Sequence, residues 1–364
     1  MLVLWWITFS FLLLRFMVAT VNYWYPQRLE DSTAEPGDKV SILIPARNEE
    51  KNIDKLLRSI LNQDYKNYEV LVLDDHSTDR TAMLVQQFSK IDPKVKLLKG
   101  EALPPNMLGK NWACHQLALQ SKGNKLLFLD ADVTVKKGLI KNALAYSASE
   151  KLTLLSIFPD QLMETRGEKL VVPLMHYLLL SMLPLVLIRK SSFPSLAAAN
   201  GQFMLFDAGT YKKHLFHLSL ANKITEDIEC MKLVKKLGYR GQTLLANGFI
   251  QCRMYKSYQD GINGFSKNIL SGFGNSVSAL LVYLALTTFS YIAFIWFVPT
   301  PNLWLSFILI IYLRIMISKA ANQNLIFNVL YHSWQMLTLV HISVLSVNKL
   351  LTKSNEWKGR TINQ

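Results

Sequence analysis

Residues 124–132 read NKLLFLDAD, an apolar run from Leu126 to Leu129 that ends in two aspartates, Asp130 and Asp132. Four apolar residues in a row indicate a strand buried on both faces. Two carboxylates at its tip have two readings. Asp is a good turn residue, and a pair of hard oxygen ligands holds a divalent cation. A second acidic pair, Asp74 and Asp75, closes EVLVLDD at 69–75. Two acidic strand ends in one protein weigh against the turn reading. Neither a GxGxxG after the first strand nor a GxxxxGK[ST] is present, so a dinucleotide or P-loop site is not supported. Any bound phosphate would need another counter-charge, and a cation on the aspartates supplies one.

The elements that must position these acids alternate regularly. VSILIPA (40–46) reads as a strand. RNEEKNIDKLLRSILNQ follows as a helix, with Ile53, Leu56, Leu57, Ile60 and Leu61 on one stripe, Asn48 as its cap and Glu49 and Glu50 in the first turn. EVLVLDD, VKLLKG (95–100) and KLLFLDAD read as further strands, separated by helices in HSTDRTAMLVQQFSK and WACHQLALQSK (112–122). NGQFMLF (200–206) reads as another strand. KITEDIECMKLVKKLGYR (223–240) reads as a helix capped by Thr225, with Ile228, Met231, Val234 and Leu237 in one stripe. Glu226, Asp227 and Glu229 in its first turn are explained by the helix dipole alone. Strand–helix repetition with continuous apolar strands predicts an α/β fold with a mostly parallel sheet, whose ligands lie at the carboxyl ends of the strands.

The apolar residues are unevenly spread. The chain has 364 residues, half of them hydrophobic, with mean hydropathy +0.17 and net charge +14. Residues 1–24 and 276–298 are each long enough to cross a bilayer, which takes about 20 residues. LWLSFILIIYLRIMI (303–317) and LIFNVLYHSWQMLTLVHISVLSV (325–347) are further candidates. The expected organisation is a transmembrane anchor at 1–25, a linker at 26–39, a catalytic-type domain at 40–270 and transmembrane helices over 271–348. A basic tail follows at 349–364, and a segment lying on the membrane, 171–190, falls inside the domain. Arg15 within the anchor must snorkel or face a neighbouring helix. Lys319 and Arg314 favour one cytoplasmic loop, and Lys349, Lys353, Lys358 and Arg360 favour a cytoplasmic tail. The basic balance fits anionic lipid; nucleic acid is not expected, because zinc-finger spacing and arginine-rich tracts are missing. Cys114, Cys230 and Cys252 form no CxxC pair and fit a reducing compartment. His115, His176 and His214 have no metal-ligand spacing.

VSILIPARNEE, VLDDHSTDRT, FLDADV and TEDIE, in that order over roughly 38–240, resemble the family 2 glycosyltransferases with the GT-A fold. LPPNMLGKNWACHQ (103–116) and CRMYKSYQDGINGFSKN (252–268) are similar to a membrane-bound branch that includes hopanoid-associated and carotenoid (diaponeurosporenoate-type) glycosyltransferases. The resemblance implies roles. Pro45, Ala46 and Glu49 would line a nucleotide pocket, and Asp74 and Asp75 would contact base and ribose. Asp130 and Asp132 would be the DxD pair for Mg²⁺ or Mn²⁺, with Asp132 the more direct ligand. Asp227 would be the catalytic base, with Glu226 as the alternative. Lys110 and Arg253 would contact phosphate, although a solvated lysine at a helix start explains Lys110 equally well. Asn200 and Gly201 would shape the acceptor side, where a turn is the other explanation.

The implied enzyme is a membrane-bound, inverting, metal-dependent hexosyltransferase. It would move one sugar from a UDP- or GDP-hexose to a lipid acceptor such as a carotenoid, hopanoid or other glycolipid. A bacterial-type inner membrane with the catalytic domain on the cytoplasmic side is expected. Two alternatives stand beside it, a processive polysaccharide synthase and a non-catalytic membrane scaffold. QCRMY (251–255) stands where many processive members carry QxxRW, and the missing Trp weighs against the first. The presence of Asp75, Asp132 and Asp227 weighs against the second.

Overall fold

The computed structural model describes residues 2–291, 299–352, 356–357 and 360–361. The chain divides into two compact units, one of residues 27–160 and 187–253, the other of 1–26, 161–186 and 254–364. The expected 40–270 domain is therefore cut at two places, because 161–186 and 254–270 cluster with the terminal helices.

The first unit is built on strands β1 (Val40–Ala46), β2 (Tyr68–Asp74), β3 (Val95–Lys99), β4 (Lys125–Leu129), β5 (Val133–Val135), β6 (Leu154–Phe158), β7 (Asp160–Gln161), β8 (Phe203–Asp207), β9 (Gly241–Leu245) and β10 (Ile250–Cys252). The main sheet has the order β3-β2-β1-β4-β8-β6-β9. β1, β2, β3 and β4 are parallel, and β8 runs antiparallel to both β4 and β6. Continuous burial of β1, β2, β4 and β6 matches their apolar runs, since both faces are covered. β2 extends to one side of β1 and β4 to the other, so the chain changes direction at the carboxyl end of β1, where α/β sheets leave a crevice.

Two sequence expectations change here. The first helix begins at Ile53 with Asn52 as its cap, not at Asn48. Asn48 has φ 55° and its Oδ1 accepts from Thr78 N at 2.8 Å, so it ties the loop after β1 to the loop after β2. Thr225 does precede the Glu226–Lys236 helix, but its side chain makes no capping bond.

The second unit is helical. Two helices, Val3–Trp24 and Thr300–Ala320, are long and apolar enough to cross a membrane. Tyr258–Gly272 and Val277–Phe289 form a pair bent by 107°. The 325–347 candidate is corrected. It breaks at Tyr331 into Leu325–Leu330 and His332–Thr352. Ser333, Gln335, Thr338, His341 and Ser343 dilute the second helix below membrane-spanning hydropathy. The last part of the 276–298 candidate, 292–298, lies outside the described residues, as do Lys353 and Lys358 of the basic tail. Arg314 is not a loop charge as expected, because it is 1% exposed inside its helix. Within 171–190, Pro184 ends the Pro173–Met182 helix, and Asn22 satisfies the freed backbone. Its Nδ2 donates to Leu180 O and Leu183 O at 2.9 Å, and its Oδ1 accepts from Leu185 N at 2.8 Å.

Candidate active site

The acidic strand ends meet residues delivered by the antiparallel strand. In the β4–β8 register Leu129 faces Phe203, so the residues just before β8 lie beside the residues just after β4. Asp130 N accordingly donates to Gln202 O at 3.4 Å. Asn200 is pinned from β6, where Ser156 Oγ accepts from Asn200 N at 2.8 Å and donates to Asn200 O at 3.1 Å. Asn200 Oδ1 in turn accepts from Gln202 N at 2.9 Å, which fixes the turn around Gly201.

Gly201 brings the Glu226–Lys236 helix into the site. Its N–H donates to Asp227 Oδ2 at 2.9 Å, and Ile228 N donates to Asp227 Oδ1 at 2.8 Å. Lys110 Nζ bridges the two acidic groups, at 2.9 Å from Asp130 Oδ1 and 3.0 Å from Glu226 Oε1. Lys110 is thus ion-paired at the start of its helix. Burial disfavours the ammonium charge, but Asp130 and Glu226 outweigh it and hold its pKa well above the ordinary value. Asn111, one residue on, explains why this helix sits here. Its Nδ2 donates to Leu220 O at 2.8 Å and to Ala221 O and Lys223 O at 3.2 Å, tethering the loop that leads to Glu226.

Burial and the Glu226 charge push the Asp227 carboxyl up to about 7, against the opposing pull of Lys110. Asp227 thus has the proton affinity of a base that works near neutral pH. Glu226 is instead committed to its ion pair with Lys110. Burial, then Asp130 and Glu49, raise Asp132 to about 6. Among the described residues no cluster of three or more His, Cys, Asp or Glu side chains is arranged to hold a metal by itself. Asp130 and Asp132 nevertheless fit a hard divalent cation, since both donors are oxygens and the raised Asp132 pKa reports negative charge in need of a partner. The rest of an oxygen shell would come from phosphate and water.

Around the crevice, Pro45 and Ala46 pair with Leu73 and Asp74 at the ends of β1 and β2. Asp75 is 6% exposed; its N–H donates to Ala46 O at 2.8 Å and its carbonyl accepts from Arg47 Nη1 at 2.7 Å. Asp74 Oδ1 accepts from Ser77 N at 3.4 Å. Glu49 Oε2 accepts from Asn52 Nδ2 at 2.8 Å. Arg253 directly follows Cys252, whose ladder partner Val133 directly follows Asp132. The structure therefore gathers Lys110, Asp130, Gly201, Glu226 and Asp227 into direct contact, with Pro45, Ala46, Asp74 and Asp75 on the neighbouring strand ends.

Sequence reasoning missed Gln202. It is 4% exposed, and its Nε2 lies 3.4 and 3.5 Å from the two Asp132 oxygens and 2.8 Å from Cys252 Sγ. No spacing rule marks a lone glutamine; only the β4–β8 register reveals it.

Gly201 offers a local test. A Cβ there would lie 2.9 Å from Lys110 Nζ and 3.3 Å from Glu226 Oε1. The lysine end is flexible in principle, but two carboxylates hold it. Gly201→Ala is expected to lower stability by about 1–3 kcal/mol through overpacking, read as a lower thermal midpoint. An unchanged midpoint and unchanged activity would show that the charged cluster moves freely.

Residues 41–214 match the model of the family described as Glycosyl transferase family 2. A 4,4'-diaponeurosporenoate glycosyltransferase of Staphylococcus haemolyticus is 27% identical over 281 residues, covering 73% of this chain and 72% of that one. A beta-monoglucosyldiacylglycerol synthase of Synechocystis is 31% identical over 146 residues, covering 40% of this chain and 30% of that one. Among solved structures, a mannosyltransferase from Pyrobaculum calidifontis in complex with GDP-Man and Mn²⁺ aligns with TM-score 0.59 at 16% identity, over 97% of this chain and 100% of that one. At that identity the likeness establishes the shared fold.

Proposed function

We propose that this chain, whose residues 41–214 match the model of glycosyl transferase family 2, moves one sugar from a UDP- or GDP-hexose to a lipid hydroxyl or carboxyl, with inversion at the anomeric carbon. The observation that carries this reading is the Asp227 carboxylate, raised to about 7 and held by two backbone N–H groups. A carboxylate has about four lone-pair sites, so two remain to accept a proton.

The donor's base and ribose sit against Pro45, Ala46, Glu49, Asp74 and Asp75, whose carboxylates accept from N–H and hydroxyl donors. Asp130 and Asp132 would hold a divalent cation, Mg²⁺ or Mn²⁺, which when bound would supply positive charge for the departing nucleoside diphosphate. Lys110 and Arg253 face the same phosphates. Asn200 and Gly201 border the acceptor. Asp227 takes the acceptor's proton while the acceptor oxygen bonds to the anomeric carbon. The bond from that carbon to the phosphate oxygen breaks, and its electron pair leaves with the nucleoside diphosphate. One displacement with one base inverts the centre. Glu226 keeps Lys110 in position.

Similarity to relatives named for a carotenoid acid and a diacylglycerol, together with the two long apolar helices, supports a lipid acceptor and attachment to a membrane. We place the catalytic domain on the cytoplasmic side of a bacterial-type inner membrane. The test is incubation of purified protein with radiolabelled UDP- and GDP-hexoses, membrane lipids, and Mg²⁺ or Mn²⁺. Label is expected in a single solvent-extractable product, and only with metal. Label in a water-soluble polymer of growing length would make it a processive synthase. Absence of both transfer and metal-dependent nucleotide binding, in folded protein, would overturn the enzymatic reading.

A further inference from the structure

The helical unit buries two cations that have no counter-ion among the described residues. Arg15 is 3% exposed and Arg314 is 1% exposed. Both lie against Tyr177, the guanidinium carbons 4.7 and 3.9 Å from its centroid, and Arg15 also lies over Tyr283 at 5.3 Å and Phe11 at 5.9 Å. Their hydrogen-bond partners are neutral. Arg15 Nε and Nη2 donate to Ser181 Oγ at 3.3 and 3.0 Å. Arg314 Nε donates to His332 Nδ1 at 2.8 Å, and its Nη2 donates to Gln335 Oε1. Arg314 Nη1 is buried with no partner among the described residues.

Among the described residues neither arginine forms an ion pair with a carboxylate. The acidic residues of this unit are Glu164, Glu168, Asp260 and Glu356. Glu168 is used in the capping box with Thr165, and Asp260 accepts from Lys256 N. The stretch 292–298, outside the described residues, reads IAFIWFV and has no acid to offer.

The plain alternative is a structural stack of two arginines on a tyrosine. Its energetics fall short. Cation–π contacts with Tyr177, and for Arg15 also with Phe11 and Tyr283, offset only part of the cost of burying two like charges side by side. An oxyanion would remove the deficit, and the planar guanidinium fork is suited to bind one through two parallel hydrogen bonds. The arginines sit within the two helices that are long and apolar enough to span a membrane, where intramembrane cations mark ligand sites. Arg15 lies nine and Arg314 six residues before the last residue of its helix. The anion must therefore enter among the helices, with its apolar chain along them.

We propose that Arg15 and Arg314 form a binding site for an amphiphile that ends in an oxyanion, a carboxylate or a phosphate monoester, with Arg314 Nη1 as an open donor. The proposal is independent of the role of Asp227.

The test is thermal unfolding in a non-ionic detergent, titrated with oleate, dodecyl phosphate, oleyl alcohol and inorganic phosphate. Oleate or dodecyl phosphate is expected to raise the midpoint, and which one does so identifies the head group. Oleyl alcohol and inorganic phosphate are expected to have no effect. Arg314→Lys keeps the charge but loses the fork, and should raise the apparent dissociation constant about tenfold or more; exposed Lys256→Gln should leave it unchanged. Ser181→Asp supplies Arg15 with a built-in carboxylate and should abolish the ligand's effect in a protein that still folds. Equal stabilisation by oleyl alcohol, or binding that survives both Arg314→Lys and Ser181→Asp, would reduce the pair to a structural stack. Equal stabilisation by inorganic phosphate would make the ligand a free anion.

Discussion

Asp227→Asn is expected to lower turnover by about 10²–10⁴-fold, the usual contribution of a general base, while donor affinity stays within about twofold, as for a group that acts only in the transition state. The geometry accounts for the split. Asp227 contacts Gly201 and Ile228 through backbone N–H groups, and no Lys110–Asp227 ion pair accompanies the ones Lys110 makes with Asp130 and Glu226. Removing its charge thus leaves the Lys110 bridge in place. Glu226→Gln should behave in the opposite way. It frees Lys110 from one partner and alters donor binding before it alters chemistry. The pH profile gives a second check. A base must be unprotonated to work, and burial with the Glu226 charge sets Asp227 at about 7. Single-turnover rate should fall tenfold per pH unit on the acid side of about 7 and level off above it. A flat profile between pH 5 and 8, or an Asp227→Asn enzyme with near-native turnover, would move the base elsewhere.

How far the sequence carries toward this site depends on which forces are local. The strands β1, β2, β3 and β4 are legible because each is an apolar run covered on both faces; the observed limits of β1, β2 and β3 differ by at most a residue from those the pattern predicts, while β4 ends at Leu129, before the two aspartates of KLLFLDAD. The acids at the ends of β2 and β4 and at the start of the Glu226–Lys236 helix are legible because their order along the chain is a family signature. What the pattern does not encode is direction. That β8 runs against β4 decides that Asn200, Gly201 and Gln202 border the aspartates, and no residue in NGQFMLF states it. The same holds for Asn48, which has the composition of a helix cap but adopts φ 55° to bind Thr78 across two loops. In the helical unit, hydropathy finds the apolar helices but misassigns Arg314. Burial beside Tyr177 is a tertiary fact, invisible to a rule that counts charges near segment ends.

Asp132→Ala is expected to weaken metal-dependent nucleotide binding by about 100-fold or more, since even the loss of an outer-shell partner of a metal ligand costs about 10–100-fold. The two aspartates have unequal surroundings. Asp130 is already compensated by Lys110 at 2.9 Å. Among the described residues Asp132 forms no ion pair; the Gln202 amide lies 3.4 and 3.5 Å away, and the Asp132 pKa rises to about 6 through burial and the Asp130 and Glu49 charges, against the pull of Lys110. A divalent cation therefore gains most from Asp132, and its loss cannot be made good by Asp130 without breaking the lysine bridge. Calorimetric titration with UDP and GDP, with and without Mn²⁺, measures this directly. Because the carboxyl holds a proton below about pH 6, metal affinity in the native protein should also decline as pH falls through that value. Gln202→Ala separates positioning from ligation, with an expected loss of about tenfold in metal affinity and a small change in nucleotide binding without metal. Metal-dependent binding that persists at native strength in Asp132→Ala would place the cation on other residues and leave the strand-end aspartates as turn formers.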